Sequence, residues 1–334
     1  MAGGRKLSWL RRGLPVIALA SALIAGTTPV LAQDADLSTL SGEIVSDGSS
    51  TVGPLTQAVA EEFNAQAPNV QTSVDISGTG GGFKRFCAGE TDVQNASRAI
   101  KDDEAATCAQ SSVDWYEFEV AYDGVTIVTN KENTWLTCIT TDDLKKLWQK
   151  ESPANTWADL NPDYPAETVA LYGPGTDSGT FDFFVETILG EDEIREDFTP
   201  SEDDNVLVEG VAGDFNALGY FGLAYYEANQ DVLNAVAIDT GDGACVTPSP
   251  QTVQDGTYAP LSRPLYVYVN ANSLQRPEVQ EFVRFYLNEA KTLAPDVGYV
   301  ASPDESYAED VKSFEAALSG SGTPDSAATA TPAA

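Results

Sequence analysis

A strand, tight loop and helix unit recurs along this chain, and that repetition limits the folds open to it more than any other feature. Glu43–Val45 is strand-like, and Asp47-Gly48-Ser49-Ser50-Thr51 leads into Val52–Ala65, where Val52, Leu55, Val59 and Phe63 fall at helical spacing. Val70–Ile76 alternates as a strand, and Gly78-Thr79-Gly80-Gly81-Gly82 opens a helix from Phe83 to Ala88. Repeated units of this kind predict a parallel α/β sheet whose ligands sit at the carboxyl ends of strands, against helix N-termini.

Two long strand-like runs, Val120–Asn130 and Leu265–Asn270, stand apart from the repeat. Between them lies a second α/β set: helix at Thr140–Gln149, strand at Val169–Tyr172, helix at Thr180–Leu189, and a strand-rich segment at Leu218–Tyr226. Helical spacing returns at Pro277–Leu287 and Tyr307–Leu318. This order predicts two α/β lobes with a ligand cleft between them, joined by two crossover strands. Lobe 1 is expected over residues 42–125 plus 264–320, and lobe 2 over 126–263. About 300 residues also exceed what one compact core usually holds.

The first 32 residues have the layout of a secretory signal peptide. Arg5, Lys6, Arg11 and Arg12 precede a short apolar stretch, Leu14–Ala25, and Val30-Leu31-Ala32 gives a small-x-small cleavage pattern. Cleavage near Ala32/Gln33 would leave a periplasmic or extracellular chain. Residues 319–334 are rich in Ser, Thr, Pro, Ala and Gly, and the tail over 321–334 is expected to be disordered. Loss of the four leader cations from 18 Lys and Arg leaves 14 against 51 Asp and Glu, a net charge near −37. Such a surface repels nucleic acid and does not steer anions, so any anion site must work through local donors in a desolvated pocket.

Cys87, Cys108, Cys138 and Cys245 form an even set in an exported chain, which suggests two disulfides among three permitted pairings. Cys87–Cys108 and Cys138–Cys245 are favoured because each falls inside one lobe and leaves the hinge free. The chain has no histidine, which removes Ser-His-Asp and Cys-His catalysis and histidine metal ligation. No cofactor, no metal and no catalytic residues are expected, and the chain is read as a monomer.

Gly48–Thr51, Gly78–Gly82 and Pro174-Gly175-Thr176-Asp177-Ser178-Gly179-Thr180 share one character: small residues and hydroxyls just before a helix. Unpaired N–H groups at helix starts, glycine access to the backbone and Ser/Thr hydroxyls together suit a tetrahedral oxyanion. None of the loops carries the Gly-Lys-Ser/Thr of a nucleotide P-loop. Arg98, after a predicted strand, is the candidate cation, since its fork fits two oxygens at once. Arg263 is the weaker candidate and reads as a hinge salt bridge. Hydrogen phosphate has a proton to donate and sulfate does not, so selection needs an acceptor. Asp123 on the first crossover strand is the candidate, with Asp177 as the alternative.

At these loops the chain resembles the phosphate-binding proteins of Pst-type ABC importers, in particular the SphX-like branch. The resemblance spans most of residues 42–318. Asp47–Val52, Gly78–Phe83, Asn95-Ala96-Ser97-Arg98, Ala121-Tyr122-Asp123-Gly124 and Gly175–Phe181 carry it, with Ala217–Gly222 and Ser262–Tyr266. It implies a type II periplasmic binding fold that closes on inorganic phosphate and delivers it to membrane permease and ATPase subunits. It also implies ligand roles for Ser50, Thr51, Thr79, Gly80, Ser178, Gly179 and Thr180. Where the family's best-known form has an aspartate this chain has Arg98, and where that form has an arginine it has Pro174. Another tetrahedral oxyanion (sulfate, arsenate or molybdate) and a secreted phosphatase are the alternative readings.

Overall fold

The computed structural model describes residues 36–190, 192–241 and 243–326. The signal peptide and its cleavage site lie outside the described residues. β1 (Gly42–Gly48) starts the first α/β set, followed by α1 (Gly53–Gln66), β2 (Val70–Val74), α2 (Thr79–Cys87), β3 (Val93–Ala96) and α3 (Asp102–Gln110). β1 pairs in parallel with β2 on one side and β3 on the other. Pro54 sits in the first turn of α1, where its missing N–H costs nothing, and Leu55, Val59, Ala60 and Phe63 turn inward from that helix.

β4 (Trp115–Asn130) is the long strand expected at Val120–Asn130, begun five residues earlier. Glu117 and Glu119 interrupt its apolar run in sequence. They fall at alternate positions on one face, while Tyr116, Phe118 and Val120 on the other face are buried. Its first part, Trp115–Gly124, pairs antiparallel with β12 (Ser262–Asn270), which in turn pairs with β3. From Val125 onward the partner changes to β8 (Ala217–Gly222), and Val128–Asn130 also pairs with β9 (Leu233–Ala235). β6 (Ala170–Gly173) and β7 (Thr199–Pro200) continue the sheet beyond β8. A separate small sheet joins β5 (Cys138–Thr140), β10 (Ala237–Asp239) and β11 (Cys245–Val246).

Helices cover these sheets: α4 (Thr141–Trp148), α5 (Gly179–Phe184) running on as a π-helical turn at Val185–Leu189, α6 (Asp204–Gly213), α7 (Leu223–Ala228) and α8 (Pro250–Gln254). α9 (Pro277–Asp296) and α10 (Asp304–Leu318) return to the first set. The strand-rich reading of Leu218–Tyr226 is half right: Gly222 ends the strand and α7 takes the remainder, so Tyr225 and Tyr226 are helical.

Four bodies of apolar packing result among the described residues, and two of them are large. In one, Ile44, Leu55, Phe63, Phe118 and Val267 meet Phe282 and Tyr286 of α9 and Phe314 of α10. In the other, Val125, Ile127, Leu144, Trp148, Trp157, Phe184, Tyr220 and Tyr258 pack together. Phe184 stacks on Tyr220 at 3.9 Å, with Trp148 edge-on to both. Truncating one of these rings to alanine would cost about 3–5 kcal/mol. Cys87 bonds to Cys108, tying α2 to α3, and Cys138 bonds to Cys245, tying β5 to β11. Within the tail, Asp325 pairs with Trp115 through two backbone hydrogen bonds at the start of β4. Residues 327–334 lie outside the described ones. Among the described residues no helix is long and apolar enough to cross a membrane.

Candidate functional site

The loops at the carboxyl ends of β1 and β3 and at the start of α2 open onto one cavity of about 540 Å³. Buried Asp47, at the end of β1, fixes this rim. Its carboxylate accepts from Gly48 N–H at 2.7 Å, from Ser77 Oγ at 2.8 Å and from the Arg85 guanidinium at 2.7 Å. Ser49 Oγ then accepts from the Thr51 N–H at 3.1 Å in the turn that leads to α1, and Ser50 and Thr51 line the cavity. α2 begins at Thr79, earlier than the helix predicted from Phe83, so Gly80, Gly81 and Gly82 form its first turn. A Cβ on Gly82 would lie 2.6 Å from Gly48 Cα and 2.1 Å from Gln94 Oε1, so glycine is what lets this turn pack against β1 and β3. Thr79 Oγ1 lies 3.1 Å from Ser97 Oγ, and both residues line the cavity.

Two guanidinium groups face the same space. Arg98 is held by Glu104 through two 2.8 Å bonds, and this pairing pushes its pKa above the ordinary arginine value. Arg263 Nη2 donates to Thr51 Oγ1 at 2.7 Å and lies 3.4 Å from Asp123 Oδ2, while its guanidinium sits 3.8 Å over the Phe183 ring. From the far wall, α5 and its π turn contribute Asp182, Phe183, Glu186 and Thr187. The two walls already touch: Ser50 Oγ donates to Asp182 Oδ2 at 2.9 Å, and Thr51 Oγ1 donates to the Gly179 carbonyl at 3.2 Å. A Cβ on Gly179 would fall 2.4 Å from Thr51 Cα, so only glycine permits this approach. Hydroxyls, a helix start and planar cations in one recess are the donor types that suit an oxyanion.

The profile of the PBP superfamily domain matches residues 33–290. Protein SphX of Synechocystis sp. is 43% identical over 90% of this chain and 88% of its own length. The phosphate-binding protein PstS of Staphylococcus saprophyticus is 40% identical over 80% of this chain and 83% of its own. The chain belongs to the SphX/PstS family. A crystal structure described as a possible phosphate binding protein from Planctomyces limnophilus is 44% identical with a TM-score of 0.80, covering 84% of this chain and 100% of that one. The architecture is the two-lobed type II fold of periplasmic binding proteins.

Within this PstS-family framework the residues singled out by sequence divide into two groups. Ser50, Thr51, Thr79, Gly80 and Arg98 line the cavity, together with Ser49, Gly78, Ser97 and Lys101 beside them. Ser178, Gly179 and Thr180 do not line it. Ser178 caps α5 by accepting from the Thr180 N–H at 3.2 Å, and Gly179 lies against Thr51 at the edge. Asp123 is fully buried behind Arg263 and is not part of the wall. Burial drives its carboxyl pKa upward, and Arg263 partly opposes that. Asp177 is exposed, with its N–H on Glu202.

Arg263 carries both roles: it bridges to Asp123 as the hinge reading had it, and it also forms cavity wall. The α5 residues were missed although a signal for them exists. Asp182, Phe183, Glu186 and Thr187 follow Gly179 at helical spacing, so a glycine at the cleft predicts them on the same face.

Proposed function

We propose that this chain captures inorganic phosphate with high affinity outside the cytoplasmic membrane and hands it to the permease and ATPase subunits of an ABC importer. It acts as a monomeric binder and not as an enzyme. The observation that carries this reading is the cavity between β1, β3 and α2 on one side and α5 on the other. Hydroxyls of Ser50, Thr51, Thr79 and Ser97 meet there with the guanidinium groups of Arg98 and Arg263. The relatives named for phosphate binding, at 40% identity over most of the chain, support phosphate as the anion.

The working parts are a first lobe over residues 42–125 plus 264–320 and a second over 126–263, with residues 1–32 removed on export. Arg98, Arg263, Ser50, Thr51, Thr79 and Gly80 hold the anion, and Asp123 positions Arg263. Ser178, Gly179 and Thr180 place α5 against the first lobe. The mature chain's net charge near −37 opposes nucleic acid, so recognition rests on these local donors.

Calorimetric titration of the mature protein with phosphate, sulfate, arsenate and molybdate tests the reading. Saturable binding of one phosphate per chain, tighter than sulfate, is expected. No binding of phosphate would overturn it. Steady release of phosphate from a phosphomonoester in proportion to protein would overturn the binder in favour of an enzyme.

A further inference from the structure

Arg98 lines the cavity, but the groups that hold it stand behind the wall. Glu104 Oε1 and Oε2 accept from its Nη2 and Nη1, each at 2.8 Å, and the Ala99 carbonyl accepts from Nη1 at 3.1 Å. Three of the five guanidinium N–H groups are thereby used, which leaves Nε–H and the second Nη2–H for an anion. Glu104 itself does not line the cavity. It stands in the first turn of α3, where its Oε2 also accepts the Lys101 N–H at 2.9 Å. The direction of Arg98 therefore depends on where α3 sits.

A disulfide fixes α3 in turn. Cys87 ends α2, Cys108 lies near the end of α3, and the two are bonded. Cys87 Sγ lies 3.4 Å from the Glu104 carbonyl oxygen, so the bridge rests against the residue that grips Arg98. Both cysteines are buried in a small apolar cluster with Phe83, Phe86, Ile100, Ala105 and Tyr268, and the Arg98 guanidinium sits 5.8 Å over the Phe83 ring. The large core of Ile44, Phe63, Phe118 and Phe282 contains neither cysteine. At its other end α2 opens the anion cavity with Thr79 and Gly80, and a Cβ on Gly80 would lie 3.7 Å from both Arg98 Nη2 and Glu104 Oε1. One helix thus carries a set of donors at its start and the anchor of Arg98 at its finish.

We propose that the Cys87–Cys108 disulfide is a positioning element of the anion site: acting through Glu104, it holds Arg98 in register with the donors at the start of α2. The bond touches no ligand. It spares the arginine the cost of being ordered when the anion arrives. The lobe's fold rests on the large core and survives without the bond. This proposal rests on the phosphate-capture reading above.

The test compares wild type, Cys87→Ala/Cys108→Ala and Glu104→Gln, each also combined with Arg98→Met. Circular dichroism reports folding and calorimetry reports phosphate binding. Removing the bond should leave the chain folded at room temperature and weaken phosphate binding about 2- to 12-fold, the range for ordering one long side chain on binding. Glu104→Gln, whose amide turns N–H toward the guanidinium, should weaken it at least as much. Both losses should vanish beside Arg98→Met, where a role in the fold alone would persist. With isotope-labelled arginine, the Arg98 Nη resonances should be separate in wild type and merge without the bond, a readout that needs no anion.

Wild-type affinity in either variant overturns the proposal and leaves phosphate capture intact. So does a loss that persists beside Arg98→Met, an Arg98 signal unchanged by removal of the bond, or a disulfide-free chain that does not fold. A wild type that binds no phosphate overturns the underlying reading instead, and the arginine resonances then still decide whether the bond positions Arg98.

Discussion

Replacing Arg263 with methionine removes a planar cation that two different groups depend on. Asp123 has no exposed surface, its Oδ1 has no hydrogen-bond partner among the described residues, and its Oδ2 sees Arg263 at 3.4 Å. Burial already raises its carboxyl pKa, and Arg263 is what restrains the rise. Without the cation the buried carboxylate is uncompensated, a change that typically costs about 3–5 kcal/mol. For a chain of this size that is a fall in Tm on the order of 5–15 °C.

The pH dependence has a definite sign. A carboxyl whose folded pKa lies above its unfolded one binds its proton more tightly when folded, so it destabilises the fold above its folded pKa, and the penalty fades as pH falls. The deficit of Arg263→Met should therefore be largest near pH 8 and shrink toward pH 5. Adding Asp123→Asn should recover most of the lost stability while phosphate binding stays weak, because Thr51 Oγ1 and the cavity have still lost their donor. Thermal melts at pH 5 and pH 8, with calorimetry on the single and double variants, measure this. An Arg263→Met protein as stable as wild type at pH 8 would refute the account of Asp123. Recovery of binding in the double variant would refute the role of Arg263 in the wall.

Arg98→Ala should weaken phosphate binding by about 2–5 kcal/mol if the desolvated cation contacts the anion; unchanged affinity by calorimetry would remove Arg98 from the site. Gly179→Ala places a methyl against backbone atoms of Thr51, 2.4 Å from Cα and 2.6 Å from N, which cannot rotate away. Phosphate affinity should fall at least tenfold, about 1.4 kcal/mol, and affinity within twofold of wild type would contradict the close approach. Burial, with Glu119 and Glu117 nearby, lifts the Asp310 carboxyl to about 7. Its stabilising protonation is present below the ordinary carboxylate range and lost as pH rises through about 7, at most about 4 kcal/mol. Asp310→Asn keeps an acceptor for the Glu119 N–H and should flatten the decline in Tm between pH 5 and 8; an equally steep decline would count against Asp310 as its source.

Sequence revealed the parts of the site that are local. Ser50, Thr51 and Arg98 follow strand ends closely, and Thr79 and Gly80 open the helix after β2, so strand–loop–helix punctuation was enough to put them at one edge of the sheet. Arg263 was harder to place. Its position opposite Asp123 depends on the antiparallel register of β12 on β4, and its contact with Phe183 depends on how closely α5 approaches. Asp123 itself was read from a strand that does reach the cleft, but alternation alone does not say which side of an arginine a carboxylate will occupy. The Ser178–Thr180 loop looked like a ligand loop because its composition matches the others. In the structure its hydroxyl is used on its own helix, and the residues that face the cavity come a turn later. The pairing of Asp325 with Trp115 had no compositional signal, since the tail meets a strand only through backbone atoms.

The change of partner along β4 has a mechanical consequence. Up to Gly124 the strand is hydrogen-bonded to β12, and from Val125 it is bonded to β8. The two ladders hand over there, and Val125 N–H also donates to the Leu261 carbonyl at 2.9 Å, just before β12. β4 thus belongs to both ladders, and its backbone carries the chain from one set of partners to the other within a single peptide step. The junction directly follows Asp123, whose partner Arg263 sits at the matching place on β12. Any bend of β4 at this point would therefore be felt at once by Asp123 and Arg263, which ties the anion site to the place where the strand changes partners.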